Sequence, residues 1–240
     1  TQIFELIRTD TTMQRDSVVL SKDYYAFANS VQVRVYSQSD NLYDEQILNP
    51  DGGLYEFGSA MDIVGTTIAV SSPTYPATGL VRVYDLVSDV WALSQNLSRP
   101  GTLFGKDVKI ENTKLVIANI DTVFVYLYNF NNELWEIAFE IAAFANLSID
   151  MNNYFVAIGS ATDVKVYENN VLLNTFEPEG GEDQYAERIT MSNDKLLVSS
   201  RFTTVSDILQ VVHYYHTTFE YQDKHIASLD NKTRQLCWID

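Results

Sequence analysis

Three stretches of the chain fit one frame without a gap. They are Phe57 to Ser72 (FGSAMDIVGTTIAVSS), Phe104 to Ala118 (FGKDVKIENTKLVIA) and Tyr185 to Ser199 (YAERITMSNDKLLVS). In each, apolar residues fall 4, 6, 11 and 13 positions after the aromatic: Met61, Ile63, Ile68 and Val70; Val108, Ile110, Leu115 and Ile117; Ile189, Met191, Leu196 and Val198. Two alternating apolar pairs separated by a short polar turn describe a tight β-hairpin with an aromatic lead-in. A hairpin that recurs along a chain constrains the fold more than any composition does, because each copy must bury its apolar face against a neighbour.

The frame extends to five units. The first starts near Gln14, with Val18, Leu20, Tyr25 and Phe27 in the apolar slots and no aromatic lead-in. The fourth is least regular, and its best frame starts at Ala143, with Leu147, Ile149, Tyr154 and Val156 in the slots. Each hairpin is followed by a third apolar strand, which reads VRVY, VRVY and VKVY at Val33 to Tyr36, Val81 to Tyr84 and Val164 to Tyr167. A fourth strand follows, as at Trp91 to Leu97, Trp135 to Ile141 and Val171 to Phe176. The linkers before units two and five also match, as Pro50-Asp51-Gly52-Gly53 and Pro178-Glu179-Gly180-Gly181. Unit starts at 14, 57, 104, 143 and 185 give steps of 43, 47, 39 and 42. Four strands in a period of about 40 to 50 residues predict an all-β fold, a β-propeller. Five four-stranded blades are expected, as units 14–56, 57–103, 104–142, 143–184 and 185–229 of a single domain. The short apolar segment Ile3 to Ile7 would be the strand that closes the ring.

The aromatic-Gly start, the hairpin ending in alternating Val, Ile and Ala before Ser-Ser, and the VRVY strand resemble the FG-GAP repeat. That repeat builds the propeller of integrin α-subunits and of many surface proteins. The resemblance runs from about Gln14 to Leu229 and is strongest in units two, three and five. It implies a binding or adhesion module in an extracellular or surface assembly. Calcium-binding members of the family carry a DxDxDG-type loop between the first two strands. The corresponding loops here read Ser21-Lys22-Asp23, Gly65-Thr66-Thr67, Asn112-Thr113-Lys114, Asn152-Asn153 and Asn193-Asp194-Lys195. The resemblance therefore implies no metal at those positions.

Charge narrows the partners. With 32 acidic against 16 basic residues the formal charge is −16, a field that repels nucleic acid and anionic membrane surfaces. No apolar run approaches the roughly 18 residues of a spanning helix, so membrane insertion is not expected. Cys237 is the sole cysteine, which excludes an intrachain disulfide. The chain begins at Thr1 rather than Met, as expected of a processed product or a trimmed chain.

Candidate sites are sparse. His213 and His216 stand three apart on a strand, so they face opposite sides of the sheet and cannot chelate one ion; His225 stands alone. No G-x-S-x-G elbow or other nucleophile motif is present. Neither catalytic residues nor cofactors are expected. The acidic residues Asp51, Glu56, Glu179, Glu182 and Asp183 fall in linkers, where solvated turns account for them. The functional alternative is a calcium or partner site formed by Asp51, Glu179, Glu182 and Asp183. Arg34, Arg82 and Lys165 share one sheet face with Tyr36, Tyr84 and Tyr167, and packing of their stems between blades is the expected role. Three sequons begin at Asn96, Asn146 and Asn231; Asn96 and Asn231 are the glycosylation candidates. Tyr43, Tyr55 and Tyr75, with Asp51 and Glu179, are the expected partner contacts. The reading is a non-enzymatic module that binds a protein partner in a larger surface or extracellular assembly. The alternative is a lectin-like propeller that binds a glycan or small ligand.

Overall fold

A computed structural model describes residues 17–29, 31–37, 45–50, 56–76, 78–143, 146–178, 184–192, 195–203, 208–215 and 221–227. Their regular structure is all β. The first sheet holds β1 (Ser17–Leu20), β2 (Tyr24–Ala28), β3 (Val33–Ser37) and β4 (Glu45–Leu48); the second holds β5 (Met61–Val64), β6 (Thr67–Ser72), β7 (Leu80–Val87) and β8 (Val90–Leu97). The third holds β9 (Asp107–Glu111), β10 (Lys114–Ala118), β11 (Thr122–Asn129) and β12 (Leu134–Ala142). The fourth holds β13 (Asn146–Met151), β14 (Phe155–Ser160), β15 (Val164–Glu168) and β16 (Val171–Phe176). The fifth holds β17 (Gln184–Ser192), β18 (Lys195–Thr203), β19 (Ile208–Tyr215) and β20 (Tyr221–Ala227). Every sheet is an antiparallel meander in chain order, and successive sheets pack through their first strands, β5 on β9, β9 on β13 and β13 on β17. This is a propeller-type arrangement.

The apolar slots of the repeat have a single physical meaning. Met61, Ile63, Ile68 and Val70 form the face of the second sheet that packs on Ala26, Ala28, Val33 and Val35 of the first. Val108, Ile110, Leu115 and Ile117 pack in the same way on Ala69, Val81 and Val83 of the second sheet. Ile189, Met191, Leu196 and Val198 pack on Ala157, Val164 and Val166 of the fourth. The first four sheets thus present an Ala- and Val-rich face forward and the last four a large-residue face backward, and the two pack together. In the first sheet the same backward slots are open: Val18 and Leu20 are exposed, Leu20 by 70%.

The frame of unit four needs a correction. Ile149 pairs with Ile158 and Met151 with Val156, the places held by Val108–Ile117 and Ile110–Leu115 in the third sheet. The unit therefore starts two residues later than its sequence suggests. The side chain of Asn152 fixes the turn, its Oδ1 accepting from the N–H groups of Tyr154 (2.9 Å) and Phe155 (2.8 Å). That places Tyr154 in the turn rather than in a core slot. Ile149 and Met151, with Val156 and Ile158, fill the backward face instead, against Val116, Ala118, Val123 and Val125.

The aromatic lead-ins are anchors between sheets. Phe57, Phe104 and Tyr185 are fully buried. Gly58 follows Phe57 at φ +89°, and a Cβ there would lie 2.2 Å from Cβ of Ala28, so only glycine lets the chain approach the first sheet. A β-bulge recurs where the third strand meets the fourth, just before the tyrosine of the VRVY pattern, at Val83/Tyr84, Val125/Tyr126, Val166/Tyr167 and Tyr214/Tyr215. One extra residue on the outer strand raises its twist there. The proposed closing strand Ile3 to Ile7 lies outside the described residues.

Candidate functional site

The polar cluster of the inner strands is built by the repeat itself. Asp62, Lys109, Asp150 and Thr190 pair with Ala69, Val116, Ala157 and Leu197, which makes them equivalent positions in successive sheets. First strands are edges, and an edge N–H without a partner is costly once buried. Aspartates satisfy three of these donors across the gap to the next sheet. Asp62 Oδ2 accepts from the N–H of Ile110 (2.9 Å), Asp107 Oδ2 from Ile149 (3.0 Å) and Asp150 Oδ2 from Met191 (2.6 Å). The second oxygens of Asp62 and Asp107 accept from the N–H groups of Ile63 and Val108. Asp150 Oδ1 instead meets Nζ of Lys109 at 3.7 Å.

Electrostatics follow from that placement. Burial raises the Asp62 carboxyl to about 6, although Lys109 and two backbone donors pull the other way. Asp107 is raised for the same first reason, desolvation, again against the pull of Lys109. For Lys109 burial acts to lower the pKa. Asp150, Asp107 and Asp62 together outweigh it and hold the ammonium above the ordinary lysine range. Lys109 therefore stays charged as the common counter-ion of three carboxylates. A cavity of about 240 Å³ opens beside them, lined by Asp62, Lys109, Glu111, Asp150, Asn152 and Met191. With the Asp62 and Asp107 oxygens committed to backbone donors, the cluster links sheets before anything else.

A second linkage runs along the outer strands. The side-chain amide of Gln46 accepts from Trp91 N–H (2.8 Å) and donates to the carbonyl of Asp89 (2.5 Å). Gln95 repeats it one sheet on, accepting from Trp135 N–H (2.8 Å) and donating to the Trp135 carbonyl (3.0 Å). A glutamine amide here imitates a peptide group and pairs with the next sheet's backbone. Sequence reasoning missed both clamps, yet each leaves a signal. Each Gln stands two residues before the buried leucine that ends its strand (Leu48, Leu97), and the facing unit opens its outer strand with a tryptophan.

The cation row is placed as its alternation with valine implies. Arg34 Nη1 pairs with Glu45 at 2.7 Å and Lys165 Nζ with Asp163 at 3.0 Å. Arg82 is 4% exposed, its guanidinium carbon 5.6 Å from the Phe57 ring centroid and 5.7 Å from that of Tyr75. Of the expected partner contacts, Tyr75 is half-buried in this stack. Tyr43, Tyr55, Asp51 and Glu179 lie outside the described residues, as do Glu182, Asp183 and Asn231. Asn96 is exposed on β8 and Ser98 of its sequon is exposed as well. His213 lies in β19 opposite Lys224 and His225 in β20 opposite Val212, while His216 is outside the described residues. Among the described residues no group of three or more His, Cys, Asp or Glu could hold a metal ion.

No family model and no curated protein matches the sequence. Solved structures do resemble the fold. A functionally unknown protein from Desulfotomaculum acetoxidans DSM 771 matches at a TM-score of 0.67 and 9% identity, over 92% of this chain and 73% of its own. Hsv2 of Kluyveromyces lactis matches at 0.59 and 11% identity, over 92% of this chain and 76% of its own. Hsv2 of Kluyveromyces marxianus matches at 0.57 and 11% identity, over 98% and 77%. At such identities the likeness concerns the fold alone, a propeller-type all-β domain.

Proposed function

We infer that the chain is a non-enzymatic β-propeller of FG-GAP type that binds a protein partner in an extracellular or surface assembly. Five blades close into a ring in this reading, with the Ile3 to Ile7 segment as the closing strand. The open backward slots of the first sheet, Val18 and Leu20, supply the face on which the fifth sheet closes. Burying them would remove the exposed apolar surface that an open ring leaves.

One observation carries the binding assignment. Leu20 aside, the five most exposed large apolar residues among the described ones are Phe130 (73%), Tyr154 (68%), Val171 (62%), Val87 and Val90. All five lie in or beside turns that join first to second or third to fourth strands, which is one end of every sheet. The 1–2 turns of neighbouring sheets meet there: Asn112 bonds Asn153 at 2.6 Å and Lys114 bonds its carbonyl at 2.8 Å. Repetition gathers these side chains at one end of a scaffold, where a protein surface can cover them together.

A second reading, a glycan or small-ligand site, rests on the groove between β8 and β12. It encloses about 560 Å³ and brings Gln95, Asn96, Arg99, Tyr126, Trp135 and Glu136 together. Size-exclusion with light scattering on native-source protein separates the two readings. Assembly predicts a large complex from the source, an isolated chain that is monomeric, and loss of reassembly in a Phe130→Ser/Val171→Ser variant that keeps its melting temperature. Free monomer in both preparations sinks the assembly reading, and a glycan array then tests the groove.

A further inference from the structure

We propose that Arg82 and Ser72 form a binding site for a small monocarboxylate at the opposite end of the second sheet, independent of the assembly reading. The argument begins with a repeated position. Asn29, Ser72, Asn119 and Ser160 each end the hairpin of their unit. In units one, three and four this residue caps a tight turn. Asn29 Oδ1 accepts from the N–H groups of Val31 and Gln32, Asn119 Oδ1 from Asp121 and Thr122, and Ser160 Oγ from Thr162 and Asp163. In unit two the connection is instead the longer segment from Pro73 to Gly79. Ser72 has nothing to cap, and its Oγ is buried without a hydrogen-bond partner.

Arg82 departs from its own row in the same unit. Arg34 and Lys165 have carboxylates, as described above, whereas Arg82 makes no ion pair among the described residues. Its Nη1 is buried and has no hydrogen-bond partner among the described residues. Register puts the two groups on one face: Ser72 pairs with Leu80 and Val70 with Arg82, so Ser72 and Arg82 are diagonal neighbours across β6 and β7. Two buried donors, Ser72 Oγ and Arg82 Nη1, thus share one face of the sheet, with no acceptor for either among the described residues. Unpaired buried donors and cations are costly, and an oxyanion removes both costs.

Charge selects the ligand. One guanidinium balances one negative charge, and its planar fork matches a carboxylate in bidentate geometry. A phosphate dianion would leave a net negative charge in a buried site of a chain that already carries −16. The Phe57 and Tyr75 rings beside the guanidinium suit a planar anion. The half-buried Tyr75, in the segment between Pro73 and Pro76, is the side chain that must swing aside for entry.

The test is thermal unfolding of the full chain in sodium acetate against sodium chloride at matched ionic strength and neutral pH. Acetate is expected to raise the melting temperature with a saturable dependence. Arg82→Met should abolish the acetate-specific rise, and Ser72→Ala should weaken the apparent affinity about fivefold, the worth of one hydrogen bond. Should Arg82→Met fail to fold, Ser72→Ala alone decides: an unchanged acetate response overturns the site. It is also overturned if wild-type protein does not respond, if Arg82→Met responds equally, or if phosphate stabilises more than acetate.

Discussion

The glutamine clamps allow a clean perturbation, because the group removed is neutral and its shape can be kept. Gln95→Met preserves the length of the side chain and deletes both hydrogen bonds to Trp135, at 2.8 and 3.0 Å. Each is worth about 1 kcal/mol net, and both partners are main-chain groups at a half-buried interface, so the expected loss is about 2 kcal/mol. For a domain of this size 1 kcal/mol moves the midpoint by roughly 2 to 4 °C, which predicts a fall of roughly 4 to 8 °C. Chemical denaturation should show the same loss as a lower midpoint at unchanged slope. Gln46→Met at the preceding interface should cost a similar amount. The two clamps share no partner, so the double variant should add within about 0.5 kcal/mol. Gln95→Glu gives the sign: a carboxylate can still accept from Trp135 N–H but must face the Trp135 carbonyl with an oxygen. A Gln95→Met variant that unfolds with the wild type would refute the clamp as an energetic link between sheets.

Three further outcomes follow from the geometry. Gly79→Ala places a Cβ 2.3 Å from the carbonyl oxygen of Phe104 at φ +92°; a loss of at least about 2 kcal/mol is expected, and a neutral result in equilibrium denaturation would contradict the close approach. Leu115→Ala empties a fully buried slot between the second and third sheets and should cost about 2 to 5 kcal/mol by the same measurement. Asp62 gives the pH dependence. Its folded pKa of about 6 lies above the ordinary 3.8, so between these values the folded state holds a proton that the unfolded state has released. Stability from this group therefore rises as pH falls from about 6 toward 3.8, by about 2 kcal/mol after allowance for partial solvent contact. Relative to Asp62→Asn, the wild type should gain stability over that range in urea titrations; a flat difference would count against the raised pKa.

The elements that one sheet's own pattern dictates were legible, and those that a neighbouring sheet dictates were not. Phe57, Phe104 and Tyr185 could be read as lead-ins, and Met61 through Val198 as slots, because burial on one face forces a period of two. The alternation of Arg82 with Val81 and Val83 placed it on the face opposite the valines, together with Tyr84. In unit four the pattern misled, since Leu147, Ile149, Tyr154 and Val156 also alternate; the turn made by Asn152 decides the register, and a shift of two residues keeps every face. Asp62, Asp107 and Asp150 were invisible as a set, and Gln46 and Gln95 left only the spacing to Leu48 and Leu97 and the tryptophan of the facing strand. Their partners are backbone N–H and C=O groups about 40 to 48 residues away, and a backbone donor leaves no mark in a sequence.

That difference explains why the inner strands look irregular although they do equivalent work. If every unit carried Asp at the Asp62 position, the clamps would repeat, but their carboxylates would face one another across a narrow interior. The chain alternates instead: Asp62, Lys109, Asp150, with Asp107 displaced by two residues along the strand to serve Ile149. Lys109 sits among all three and offsets their repulsion, while its own sheet keeps a clamp through Asp107. Replacing Lys109 with Met should therefore act on its neighbours: it would leave Asp62, Asp107 and Asp150 without their common counter-ion. The loss should be about 3 kcal/mol or more at neutral pH and should shrink on acidification, as Asp62 and Asp107 take up protons. A loss independent of pH would mean that the Lys109 stem, and not its charge, supports the inner strands.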